Sequence, residues 1–117
     1  MVEKTLSEHT PDQNSRFNDM CREAVEEAIR EVLGASVAEA YMKLIHNSLG
    51  ISDEGIFTGL DVIFSSLNRI VEPGGRILSM RIVRKLYTKT GIPFEETPGR
   101  PLDDYIKSLK KEFDNAP

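Results

Sequence analysis

The residues of this chain best suited to chemistry lie between positions 72 and 89. Gly74-Gly75-Arg76 follows Glu72-Pro73 and opens a helical pattern. Unpaired amide hydrogens at a helix start, glycines that admit a close backbone approach and a guanidinium together suit an anion. The Walker pattern is absent, and Gly-Gly before a helix is equally an ordinary turn. Beyond it, residues 76–89 hold five bases, Arg76, Arg81, Arg84, Lys85 and Lys89, and no acid. Arg81, Arg84 and Lys85 share one helical face and form a candidate interaction strip. Such a strip suits an acidic protein surface or a phosphate backbone. The competing reading is pairing with an acidic first helix that carries Glu23, Glu26, Glu27 and Glu31, or plain solvation.

Other chemistries find no constellation. Metal ligands must converge in threes or fours, and the two histidines, His9 and His46, are far apart. His46 projects opposite its helix's apolar face and reads as solvated. Cys21 falls on an apolar stripe and reads as a small core residue rather than a nucleophile. A single cysteine also rules out an intramolecular disulfide framework. There is no Gly-x-Ser-x-Gly elbow. The acid pairs Asp53/Glu54, Glu95/Glu96 and Asp103/Asp104 are adjacent residues, whose side chains diverge on a helix. Asp103 and Asp104 instead complement the positive start of the last helix. No catalytic residue, metal or cofactor is expected.

The elements that must position these residues are helices. A chain of 117 residues suits one domain. It would expose about 6,400 Å² folded against roughly 19,000 Å² unfolded, enough for a real core. Residues 1–17 are polar and aperiodic and read as a flexible arm, with 18–117 as one helical domain. Asn18 is the expected N-cap of helix one, with Cys21, Val25, Ala28, Ile29 and Val32 inward and Gly34 as its stop. Ser36-Val37-Ala38-Glu39 predicts a capping box for helix two. Its inward set is Val37, Ala40, Tyr41, Leu44, Ile45 and Leu49. A short turn is expected over 51–55, then helix three over about 57–71 with Leu60, Ile63, Phe64, Leu67, Ile70 and Val71 inward. Pro73 suits the first turn of helix four. In that helix Leu78, Met80, Ile82, Val83, Leu86 and Tyr87 cover over half the circumference, which predicts a central helix stopped by Gly91. Helix five starts near Pro101 and carries the stripe Leu102, Ile106, Leu109 and Phe113. Ile92 and Phe94 in the intervening loop would lie across the core. The fold expected is all-α, a compact bundle of four to five helices after a disordered N-terminal arm.

The order of residues from Ser36 onward resembles the Nitrosopumilus-type output domains, small helical archaeal domains that act in signalling. The matching pieces are Ser36-Val37 with Ala40-Tyr41 and Leu44, then Gly50-Ile51 with Ile56. Next come Phe57, Leu60, Ile63 or Leu67 with Ile70, and Gly74 with Arg76-Ile77-Leu78. The last are Ile82 with Leu86-Tyr87, Gly91-Ile92 with Phe94, and Leu102 with Asp104-Tyr105. Together they cover about two thirds of the chain. Family members tend to read Phe-Gly-x-Gly-Ala before the fourth helix. Here the stretch is Val71-Glu72-Pro73-Gly74-Gly75, a departure that bears on how closely that turn packs. The resemblance implies a non-enzymatic output module and brings no catalytic residues.

A protein partner is therefore expected, with a second copy of the chain among the candidates. Nucleic-acid binding through the basic face of helix four is the alternative. The net charge of −4 and the apolar breadth of that helix weigh against it. No stretch approaches the roughly 20 apolar residues of a membrane span, and the first residues lack a signal-peptide pattern, so a cytoplasmic protein is expected.

Overall fold

The computed structural model describes the backbone of residues 2–115 and the side chains of residues 15–115. Five α-helices follow in order: α1 (Val2–Leu33), α2 (Ala35–Asn47), α3 (Leu60–Ile70), α4 (Gly75–Thr90) and α5 (Leu102–Asn115). One 3₁₀ turn, Asp53–Gly55, links α2 to α3. Among the described residues there is no strand. The all-α bundle is thus the fold that the periodicity predicts.

The apolar arc of α4 makes it the central helix. Leu78, Met80, Ile82, Val83, Leu86 and Tyr87 are all buried, and α4 packs against α1, α3 and α5. Gly91 closes it in the left-handed region at φ +77°, a conformation that costs glycine little. The loop that follows is tied down by aromatic contacts. Phe94 packs edge-on to Tyr87 at 5.1 Å and tilted on Tyr105 at 5.5 Å. The Tyr87 hydroxyl donates to the Tyr105 carbonyl at 2.7 Å. The Tyr105 hydroxyl in turn accepts from the Thr97 amide at 2.8 Å. Tyr105, outside the predicted stripe of helix five, is among the most deeply buried side chains.

Three local expectations are corrected. Phe17, assigned by sequence to the end of an arm, is fully buried. It packs on Phe57 and Phe113 with ring centroids 5.0 Å apart in both cases. The core therefore begins before residue 18. Of the rest of the predicted arm, Ser15 and Arg16 are exposed and residues 1–14 lie outside the described side chains, while the helical backbone of α1 runs from Val2. Second, Asn18 is inside α1 and caps nothing there. Its side-chain amide donates to the Asp53 carbonyl, and its oxygen accepts from the Phe57 amide at 2.9 Å. It satisfies backbone groups of the 3₁₀ turn, which would otherwise be orphaned. Third, the capping box of helix two does not form. Gly34 at φ +99° makes the whole corner and is itself the N-cap, without a side-chain cap. Ser36 consequently lies inside the first turn of α2 instead of ahead of it.

The helix directions follow from these contacts. α2 has 13 residues and climbs about 20 Å at 1.5 Å per residue. Its far end leads to the 3₁₀ turn held by Asn18, which lies about 22 Å back along α1 from Leu33. So α2 runs antiparallel to α1. The short Val71–Gly74 link makes α3 and α4 a second antiparallel hairpin, with the Glu72–Pro73 peptide cis. Ion pairs described below set α4 antiparallel to α1. Four helix ends therefore meet at one end of the bundle: the C-termini of α1 and α3 and the N-termini of α2 and α4.

Candidate functional site

The predicted anion cradle is a packing device. Gly75 is buried, and a Cβ there would lie 2.5 Å from Asn68 Cα, 2.6 Å from Asn68 Oδ1 and 2.7 Å from the Leu67 carbonyl oxygen. Only glycine lets the start of α4 approach the end of α3 this closely. Gly74 has ordinary backbone angles (φ −83°) and open space, its nearest neighbour being Val71 Cγ1 at 3.6 Å. Arg76 is exposed and makes only a long contact, 3.4 Å, to the Arg100 carbonyl. Glu72 lines the same shallow hollow as Arg76, together with Asn68 and Pro73. A carboxylate there opposes an anion. The three residues are together, but the glycine is explained by helix packing alone.

The basic strip is an internal ladder. Lys89 Nζ lies 3.4 Å from Glu23 and 3.1 Å from Glu27. Lys85 Nζ lies 3.8 Å from Glu27 and 2.6 Å from Glu31, and Arg81 lies 3.2 Å from Glu31. Acids at 23, 27 and 31 thus face bases at 89, 85 and 81, each set at four-residue spacing along its own helix. Antiparallel α1 and α4 bring the two rows side by side. The electrostatics agree. The hydrogen bond from Lys85, then the charges of Lys85 and Arg81, hold the Glu31 carboxyl below its ordinary range. Slight burial works against the Lys89 charge, but hydrogen bonds to Glu27 and Glu23 outweigh it and raise its pKa. Of the predicted strip residues, Arg81 and Lys85 join this ladder, and Arg84 does not. Arg84 instead pairs with Glu96 at 2.5 Å and sits over the Phe94 ring at 5.8 Å. Lys89, left out of the strip, is a full member.

A groove of about 580 Å³ runs along this face, lined by Arg76, Ile77, Met80, Arg84, Glu96 and the ladder residues Glu27, Arg81, Lys85 and Lys89. Its bases at 81, 84, 85 and 89 are countered by carboxylates at 23, 27, 31 and 96, which leaves Arg76 alone without an ion pair among the described residues. Little net positive charge is left to draw a polyanion.

What stands out is apolar. Among the described residues the exposed large hydrophobic side chains are Val32 (48%), Leu33 (37%), Val37 (44%), Val62 (43%), Ile70 (58%) and Ile77 (73%). All but Val62 belong to the four helix ends that meet at one end of the bundle. Val32 and Leu33 finish α1, Val37 is in the first turn of α2, Ile70 finishes α3 and Ile77 is in the first turn of α4. Together they expose on the order of 400 Å² of apolar surface, the size of the largest and often functional patch on a typical monomer. The periodicity places Val32, Val37 and Ile70 in the core, because they continue apolar stripes. At a helix end the stripe has run past its neighbours, so the side chain reaches solvent.

The remaining candidates are structural. Burial pushes the Cys21 thiol up to about 12, against a smaller opposing influence of Lys110, so it is no nucleophile at neutral pH. His46 is half-buried rather than solvated. Its Nδ1 donates to the Ile51 carbonyl at 2.7 Å, and its Nε2 lies 3.0 Å from Asp53 Oδ1. It braces the turn between α2 and α3. Asp103 pairs with Lys107 at 3.6 Å and Asp104 with Arg100 at 3.0 Å. Among the described residues no three potential metal ligands converge, and no helix is long and apolar enough to cross a membrane. No family model, curated protein or solved structure matches this chain.

Proposed function

We propose that this chain is a non-enzymatic protein-interaction module, of the signalling-output kind that its residue order from Ser36 onward resembles. The observation that carries this reading is the gathering of five exposed aliphatic side chains on four helix ends. An isolated exposed aliphatic residue is ordinary, but several gathered at one end of a well-packed domain suit a protein partner. The bundle supplies a rigid platform, since the buried faces of α1, α3 and α4 fix the position of each exposed neighbour. Nucleic-acid binding has less in its favour. The bases that would meet phosphates at 81, 85 and 89 are engaged by glutamates, and α4 is the central helix rather than a protruding recognition helix.

The test is capture from lysate of the source cells, with and without nuclease treatment, with wild-type, Ile77→Glu and Val62→Glu chains as bait. A partner retained by wild type and by Val62→Glu, but lost with Ile77→Glu, supports the reading. A partner retained equally by all three, or one that disappears with nuclease treatment, contradicts it.

A further inference from the structure

Charges of both signs lie on the same helix ends as the exposed aliphatic residues. Arg69 adjoins Ile70, Arg76 adjoins Ile77, Glu72 lies in the link between them, and Glu39 lies two residues from Val37. Among the described residues none of these four has an ion-pair partner, whereas Glu23, Glu27, Glu31, Arg81, Lys85 and Lys89 all do. Two bases and two acids leave the rim neutral. A strongly acidic or strongly basic partner gains nothing from such a rim. A surface related to itself by a two-fold axis does, because each unpaired base can meet an unpaired acid of the other copy.

The other apolar concavity does not compete. The groove of about 570 Å³ between α3 and α5 is lined by Phe57, Leu60, Phe64 and Ile106. Leu60, Phe64 and Ile106 are themselves buried, so its apolar lining is smaller than the aliphatic surface exposed at the bundle end.

We propose that the apolar end binds a second copy of this chain, making a two-fold dimer through Val32, Leu33, Val37, Ile70 and Ile77. This rests on the interaction-module reading and names the partner. A patch of a few hundred Å² with a polar rim falls in the class of small, reversible interfaces, below the roughly 800 Å² per partner of a standard one. The pair should therefore form and separate with concentration rather than be permanent. The patch lies opposite the Asn18 end, so dimerisation leaves that end free and covers only the Arg76–Ile77 end of the α4 groove.

Sedimentation equilibrium of the full chain over a range of concentrations tests this. The mass should rise from 13.2 kDa toward twice that value. Ile77→Glu should weaken association about thirty-fold or more, as expected for a charge set in the centre of an apolar contact. Ile70→Glu should do the same, and Val62→Glu should not. Circular dichroism checks that each variant is folded, which the exposure of these positions favours. The rim is tested separately. Arg69→Glu with Arg76→Glu makes it wholly acidic, and Glu39→Lys with Glu72→Lys makes it wholly basic. Each double variant alone should be monomeric, and an equal mixture should form heterodimers. A wild-type chain that stays monomeric at high concentration overturns the proposal, as does a dimer insensitive to Ile70→Glu and Ile77→Glu. In the first case the interaction-module reading still stands if Ile77→Glu abolishes capture of another protein. It fails separately if that substitution changes no capture.

Discussion

Adjacent glycines with opposite roles give a sharp test of the α3–α4 packing. At Gly75 an added methyl would sit 2.5–2.7 Å from Asn68 Cα, Asn68 Oδ1 and the Leu67 carbonyl. Two of these three are backbone atoms, which cannot rotate away, so the hairpin must open. Overpacking of this kind costs about 1–3 kcal/mol, and contact with backbone argues for the upper part of that range. Alanine returns at most about 1 kcal/mol through its better helix propensity. Gly75→Ala should therefore lose about 2 kcal/mol, or about 1 M in urea midpoint for a slope near 2 kcal/mol/M. Gly74→Ala meets only Val71 Cγ1 at 3.6 Å, with an ordinary backbone angle. It should be neutral or gain up to about 1 kcal/mol by restricting the unfolded chain. Urea unfolding followed by circular dichroism measures both. Equal effects, or a stabilising Gly75→Ala, would refute the close approach and return this turn to an open one with room for a ligand.

Four further outcomes are expected. Leu86→Ala removes a fully buried side chain from the central helix and should cost about 2–5 kcal/mol by the same urea assay. The α1–α4 ladder should hold across a broad pH window. The raised Lys89 pKa stabilises the fold fully below about 10.5 and is lost as pH climbs past its folded value, while the lowered Glu31 pKa stabilises above about 4.5 and is lost as pH falls through its folded value. Melting temperature against pH should thus fall at both margins, and Lys89→Met should flatten the alkaline fall. Cys21 should resist a thiol-reactive dye at pH 8 until the chain unfolds, since it is fully buried and a pKa near 12 leaves about one thiolate in ten thousand. Ser79 has a fully buried hydroxyl without a hydrogen-bond partner, so Ser79→Ala should raise stability by about 1 kcal/mol, and a loss would show that the hydroxyl is bonded.

The parts of this fold legible in the sequence are those set by local rules. The breadth of the α4 arc identifies the central helix, and Gly34 and Gly91 mark helix ends because both positions need a positive φ. The all-helical class follows from the same periodicity. What the sequence hides depends on which element stands opposite. Val32 and Ile70 continue apolar stripes, and only the meeting of four helix ends shows that nothing covers them. Asn18 has the composition of a cap but serves a turn thirty-five positions away. The candidate site was half visible. The sequence shows an acidic first helix and a basic fourth one, and their matched four-residue spacing, 23/27/31 against 81/85/89, carries the ladder. Arg84 breaks that spacing, which is why it turns instead to Glu96. Gly75 is ambiguous in sequence because a turn, an anion cradle and a close helix contact all require the same residue type.

A photo-crosslinking amino acid carried at position 77, and separately at position 62, tests most directly whether the apolar end is the binding surface. Both positions are exposed, at 73% and 43%, but only the first belongs to the shared helix ends. Irradiation of source cells expressing each chain should give discrete protein adducts from position 77 and none from position 62. An adduct near twice 13.2 kDa would identify the second copy as the partner. Equal adducts from both positions, or none from position 77 while the folded chain is present, would contradict the assignment of the apolar end as an interface.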